Sequence, residues 1–172
     1  NLRGKGLIAQ DKDATYELVN KIRQATKAVL ITKLSPNVTD ITEIAKAAEA
    51  AGSDAVSLII TFIAMGVDIE TNRLCLGAIT GGLSGPAIKP VALRMVREVF
   101  NKIKIPVIGI GGIMDYKDAL EFIICGASAV QVGTANFINP QITGEIIDGI
   151  KKYLKGNQIN DIKQVIGSLK AK

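Results

Sequence analysis

Residues 105–134 read IPVIGIGGIMDYKDALEFIICGASAVQVGT, and their reading decides the fold. Residues 107–110 are a short, apolar, β-branched run, the mark of a strand buried on both faces. Gly111 and Gly112 follow at once. Asp115 is placed to cap the next helix, in which Ala119, Leu120, Phe122 and Ile123 recur at helical spacing. Residues 129–132 form a second strand, closed by Gly133 and Thr134. If the two strands are parallel neighbours, both glycine turns lie at the same end of the sheet. Glycine lets the backbone come close to a ligand, and the freed N–H groups attract an anion. In a βα barrel, the loops after the last two strands commonly hold a phosphate. Tight turns with no ligand are the competing reading.

The pattern repeats towards the N-terminus. Residues 80–86, TGGLSGP, place Gly81, Gly82 and Gly85 just before a helix expected over 87–101, a third candidate anion or cofactor contact at the same end. A lid without ligand contact is the alternative there. Residues 55–60, AVSLII, read as a strand, and the loop from 61 to 86 is long enough to carry its own small structure or a function. Within it, residues 67–76 can form a hairpin with Thr71 and Asn72 at the turn. Residues 29–34, VLITKL, are another strand, with Lys33 near its end. A lysine inside an apolar strand needs an anionic or hydrogen-bonding partner unless it emerges into solvent. Asp11 or Asp13 caps a helix running to about residue 26, and Thr39 or Asp40 caps one over 41–51. Beyond Thr134, residues 135–139 read as a short turn. Pro140 opens a helix reaching residue 154, and Asn160 or Asp161 starts a final amphipathic helix with Ile162, Val165, Ile166 and Leu169.

Four strands, each followed by a helix, predict a parallel α/β sheet with right-handed crossovers. A closed (β/α)8 TIM barrel takes about 250 residues, so four βα units in 172 residues make half of one, a single region over 1–172. A half barrel leaves two apolar strand edges unpaired and invites association. Either another chain supplies the missing half or the original protein is longer. Asn1 is not a start methionine and reads as a cut or processed end.

Composition narrows the chemistry. The chain is 48% hydrophobic and carries no apolar run of the roughly 18 residues a membrane span needs. It has no histidine, which removes histidine triads, histidine-ligated metals and the usual general base. Two cysteines, Cys75 and Cys125, suit a reducing cytoplasm, and Cys125 falls on an apolar helix face. The net charge is +5, but only Lys151, Lys152 and Lys155 crowd together, which reads as a solvated helix face. With no tryptophan and few aromatics, nucleic-acid binding has little support.

Four motifs, TKLSPNVTDI at 32–41, AITGGLSGPAIKP at 78–90, IGIGGI at 108–113 and GASAVQVGTANF at 126–137, together resemble the dihydroorotate dehydrogenase family, class 1, and its 1B subtype best. The likeness runs from about residue 1 to 155. It implies the C-terminal half of a (β/α)8 barrel with FMN at the C-terminal ends of the strands, and oxidation of dihydroorotate to orotate in pyrimidine biosynthesis. Carried over motif by motif, it implies that Lys33 contacts the flavin ring, where a positive charge favours the anionic reduced form. Ile59 and Gly85 are implied in further FMN contacts, and Gly111, Gly112, Gly133 and Thr134 around the phosphate. Asn1 matches the asparagine of the family's SCPN segment, whose cysteine is the catalytic base. The base is therefore expected just before Asn1, and neither Cys75 nor Cys125 inherits its role. The family has Asn-Thr where this chain has Ile60-Thr61, both in the substrate-binding position. Ile60 cannot pair with a pyrimidine edge, a loss of roughly 1–3 kcal/mol. Another dihydropyrimidine as substrate, or a non-catalytic phosphate-binding assembly module, are the alternatives. The implied partners are the N-terminal half barrel, a second copy in a homodimer, or a heterotetramer with an FAD and iron–sulfur subunit passing electrons to NAD.

Overall fold

The computed structural model describes residues 7–170. Its centre is a four-stranded parallel sheet in the order β1 (Ile31–Lys33), β2 (Ala55–Leu58), β7 (Val107–Ile110), β8 (Ala129–Gln131). Spatial order follows chain order, as it does when successive βα units wind one way around a barrel wall. The register pairs Lys33 with Ser57, Ser57 with Ile108, and Ile110 with Gln131. Paired residues in parallel strands face the same side, so these side chains share one face of the sheet.

The opposite face carries the helices α1 (Lys12–Ala25), α2 (Ile41–Ala50), α3 (Lys89–Phe100), α4 (Tyr116–Cys125) and α6 (Ile142–Gly156), each beside the next. The core lies between sheet and helices. Val56, Leu58 and Val107 meet Ile44, Ala48, Val96, Val99 and Phe122, all buried. Gly109 is glycine because a methyl there would run into Phe122 and Ala127 of this layer. Asp11, Asp40 and Asp115 cap α1, α2 and α4, each carboxylate accepting first-turn N–H groups.

The other face is only partly covered. Ile31 and Gln131 are exposed, and Ile108 and Ile110 half-buried. β1 and β8 are edge strands with one free side each.

Several boundaries differ from the sequence reading. β2 stops at Leu58, although Ile59 still donates its N–H to the Ile110 carbonyl (2.9 Å). The loop after it holds the expected hairpin, β4 (Val67–Asp68) with β5 (Arg73–Leu74), and Asn72 takes a positive φ at its turn. It also holds an outer pair that the sequence reading omits, β3 (Phe62–Ala64) with β6 (Gly81–Leu83). Residues 135–139 form a single helical turn, α5 (Ala135–Ile138). Pro140 does not open α6: Asn139 is extended, as the residue before proline prefers, and its side chain accepts the Gln141 N–H. The expected final helix is absent. A 3-10 turn, Ile162–Gln164, is followed by Gly167 at φ +70°. Gly167 and Leu169 donate their N–H groups to the carbonyls of Ile123 and Ile124, so this segment satisfies the end of α4 instead of coiling on itself.

Phe122→Ala, which empties the largest fully buried side chain, is expected to cost about 3–5 kcal/mol in urea unfolding.

Candidate functional site

The C-terminal ends of all four strands open on one cavity of about 390 Å³. Lys33 is the last residue of β1, and Ile59, Ile60 and Thr61 follow β2. Gly111 and Gly112 follow β7, and Gly133 and Thr134 follow β8. Gly85 stands where the outer hairpin leads into α3. All of these residues line the cavity. Asn1 lies outside the described residues.

The three glycine turns touch one another. Gly85, Gly111 and Gly112 have φ of +86°, +131° and +74°, the left-handed region that glycine alone enters freely. A methyl on Gly112 would sit 2.8 Å from the Gly85 carbonyl oxygen and 2.9 Å from the Lys89 nitrogen. The Thr134 hydroxyl donates to Ser84 Oγ (2.9 Å), tying the turn after β8 to the same rim. Gly133 differs: a methyl there would meet no protein atom within 4 Å, so the chain's own packing does not require glycine at that place. Among the described residues, no protein acceptor takes the N–H of Gly112, Gly133 or Thr134. Unclaimed main-chain donors beside free space form a cradle for an anion.

Behind the cradle, Lys89 is held by two carboxylates, Asp118 Oδ1 at 2.5 Å and Glu121 Oε2 at 2.8 Å. Asp118 also accepts the Met114 N–H (2.8 Å), so it joins α3, α4 and the end of the Gly111-Gly112 turn. Burial pushes the Asp118 carboxyl up, but Lys89 and the Met114 N–H outweigh it and hold it below the usual carboxylate range. The bond to Asp118, then that to Glu121, raises Lys89 above the usual lysine value.

Of the two outcomes open for Lys33, the structure shows emergence into solvent. Its side chain is exposed, and no ion pair engages it among the described residues. It projects from the face opposite the helices, which the described residues leave partly uncovered. It is the one ionisable side chain among the described residues that line the cavity. The lining is otherwise largely apolar, from Ile59, Ile60, Ile88, Ile110 and Ile113. Such a site can hold a phosphate on its amides, bury a flat apolar body and set a cation beside it. The described lining residues include no carboxylate, histidine or cysteine to act as a general base.

Neither cysteine lines the cavity: Cys75 is exposed on β5's hairpin and Cys125 is half-buried at the end of α4, where burial pushes its thiol up. Lys151, Lys152 and Lys155 lie exposed on α6, with Lys151 paired to Asp148. Sequence reasoning missed Ser84, Met114, Gln131 and Phe137, which also line the cavity. Gln131 was findable, since strand alternation puts it with Ala129 on one face. Phe137 carried no such signal.

Residues 1–154 match the family model described as dihydroorotate dehydrogenase. The chain belongs to the dihydroorotate dehydrogenase family. Relatives named dihydroorotate dehydrogenase B (NAD(+)), catalytic subunit, include that of Caldicellulosiruptor saccharolyticus, 50% identical over 170 residues that cover 98% of this chain and 57% of the relative. The Bacteroides thetaiotaomicron protein of that name is 56% identical over 153 residues, 89% of this chain and 50% of the relative. The chain thus spans about half the length of the curated relatives it matches. The dihydroorotate dehydrogenase family folds as an eight-unit βα barrel, and the four consecutive units here are half of one. No described helix is long and apolar enough to cross a membrane.

Asp118, whose folded pKa is depressed, stabilises the protein above its unfolded pKa of about 3.9 and ceases to as pH falls through the lower folded value. Lys89, raised, stabilises below about 10.4 and ceases to as pH climbs through its higher folded value. Asp118→Asn should therefore cost about 1–3 kcal/mol at neutral pH. Denaturant titrations should find the deficit shrinking below the carboxylate range.

Proposed function

We propose that this chain is the cofactor-holding half of a dihydroorotate dehydrogenase. Joined to the preceding half of the barrel, it serves the FMN-dependent oxidation of dihydroorotate to orotate in pyrimidine biosynthesis. One observation carries this reading: among the described residues, three glycine turns, two of them with unclaimed amides, and one unpaired ammonium converge on a single, mostly apolar cavity. The free space at Gly133 fits a bound group, whereas a turn serving only its own chain has no use for it.

In this reading the amides at Gly111, Gly112, Gly133 and Thr134 hold the FMN phosphate, and Gly85 and Ile59 bring main chain close to the rest of the cofactor. Lys33 supplies positive charge to the flavin ring, where a cation favours electron uptake. FMN itself supplies the two-electron acceptor. Ile60 and Thr61 face the substrate, together with Asn1, which rests on resemblance alone. Proton removal falls to a group from the preceding half, since Lys33, a cation, is the only ionisable side chain that the described residues bring to this cavity. The relatives' name, catalytic subunit, supports a partner subunit that carries electrons away. A heterotetramer with an FAD and iron–sulfur subunit, using NAD, fits that name, and a homodimer is the simpler assembly. Two free cysteines suit the cytoplasm.

Ile60 favours a variation on substrate. An isoleucine at the cavity wall leaves a polar pyrimidine edge unpaired, so a dihydropyrimidine lacking the carboxylate is the second reading.

Coexpression with the preceding half should yield a yellow protein that dihydroorotate bleaches; an assembled, colourless and inert barrel would refute the reading. Gly133→Ala should leave the melting temperature unchanged yet weaken FMN binding by roughly tenfold, the worth of about one charge-assisted hydrogen bond, as read by flavin fluorescence quenching. Ile60→Asn should shift preference from dihydrouracil towards dihydroorotate by roughly tenfold or more in kcat/KM.

A further inference from the structure

The side chain of Asn37 holds two backbone groups of the segment that follows β2. Its Nδ2 donates to the Thr61 carbonyl (3.1 Å), and its Oδ1 accepts the Ile63 N–H (3.0 Å). The same amide nitrogen reaches Ser35 Oγ (3.3 Å), which also takes the Asn37 N–H (3.2 Å), and the Asn37 carbonyl accepts Gln10 Nε2 (2.9 Å). Asn37 is therefore fixed at its own backbone and engaged at both ends of its amide. It straddles Phe62 and grips the main chain on either side.

Only a primary amide presents a donor and an acceptor in one rigid plane at this reach. Aspartate lacks the donor, and leucine, its nearest apolar match in shape, lacks both. The grip falls beside the cavity. Thr61 lines it, Ile60 immediately precedes, and Lys33, four residues before Asn37, lines it from β1. Ile63 is paired with Gly82 and Phe62 with Leu83, so the held segment is also one strand of the outer hairpin.

We propose that Asn37 is a positioning residue. It sets Ile60 and Thr61 at a fixed height relative to Lys33, and so governs substrate binding at the β2 side of the cavity without touching substrate or cofactor. This rests on the reading above that Ile60 and Thr61 face the substrate. The glycine turns after β7 and β8 take no part in the grip, so the cofactor's phosphate hold does not depend on it.

The test uses the barrel completed by its preceding half, with Asn37→Ala and Asn37→Asp beside the wild type. In the ligand-free protein, hydrogen exchange at the Ile63 N–H should quicken by roughly tenfold or more in Asn37→Ala, the loss of about one hydrogen bond. Orotate affinity, read from its perturbation of the bound flavin's absorbance, should fall by roughly tenfold, while FMN affinity stays unchanged. Asn37→Asp should keep Ile63 protected and still lose orotate affinity, because its carboxylate faces the Thr61 carbonyl without a proton to give. Unchanged exchange, or unchanged orotate affinity, in Asn37→Ala overturns the proposal. A parallel fall of FMN affinity, orotate affinity and melting temperature also overturns it, by reducing Asn37 to a general structural role. A wild type that takes up no flavin refutes the functional reading instead, and the exchange measurement then decides by itself whether Asn37 holds the segment.

Discussion

The site depends on how closely main chain approaches main chain at Gly112. Its α-carbon lies so near the Gly85 carbonyl and the Lys89 nitrogen that any side chain would force them apart. Those two atoms belong to the entry of α3, while Gly112 belongs to the turn after β7. One contact between glycines therefore brings a helix start, a strand end and the outer hairpin to the same point. Three glycines there are held at positive φ, a state that L-residues enter only at a cost of about 1–2 kcal/mol each.

What holds this contact closed is charge set behind it. Lys89 begins α3, Asp118 and Glu121 lie on α4, and Asp118 takes the Met114 N–H at the end of the turn. Asp118 is mostly buried and Lys89 three-quarters so, which makes the pair stronger than an exposed one and more harmful to break than it was helpful to form. The result is a division of labour between two lysines. Lys89 is spent on the scaffold, and Lys33, uncovered on its edge strand, keeps its ammonium free at the cavity.

The rest of the surface is that of an unfinished enclosure. The helix side of the sheet is sealed by a core centred on Phe122, Leu58 and Val56, whereas the other side carries exposed Ile31 and half-buried Ile108 and Ile110. β1 and β8 each keep one free edge, of the kind proteins normally pair or cover. The hairpin excursion adds Ile63, Met65, Val67 and Ile69, all exposed. Four barrel units explain the first two features, since the missing four would supply the neighbours.

Periodicity and turn chemistry in the sequence by themselves determined the βα repeat, the helix caps at Asp115 and its counterparts, and the glycine turns, because these are local: a capping carboxylate or a left-handed turn needs only its neighbours in the chain. The same pattern implied that the turns share a rim, since parallel strands end together. The start of α6 failed for a local reason, the extended Asn139 before Pro140; the other failures were non-local. Residues 160–169 have helical spacing, yet Gly167 and Leu169 give their N–H groups to the carbonyls of Ile123 and Ile124 at the end of α4 rather than to a helix of their own. For Lys33 the sequence left two outcomes open, a buried partner or emergence into solvent, and the described residues show the second. The outer hairpin pairs Phe62 with Leu83, and Asn37 grips Thr61 and Ile63, across separations that no window of sequence spans. Which residues lie close in sequence was written in the chain; which distant groups would compete for the same donors, acceptors and space was decided only when the chain closed on itself.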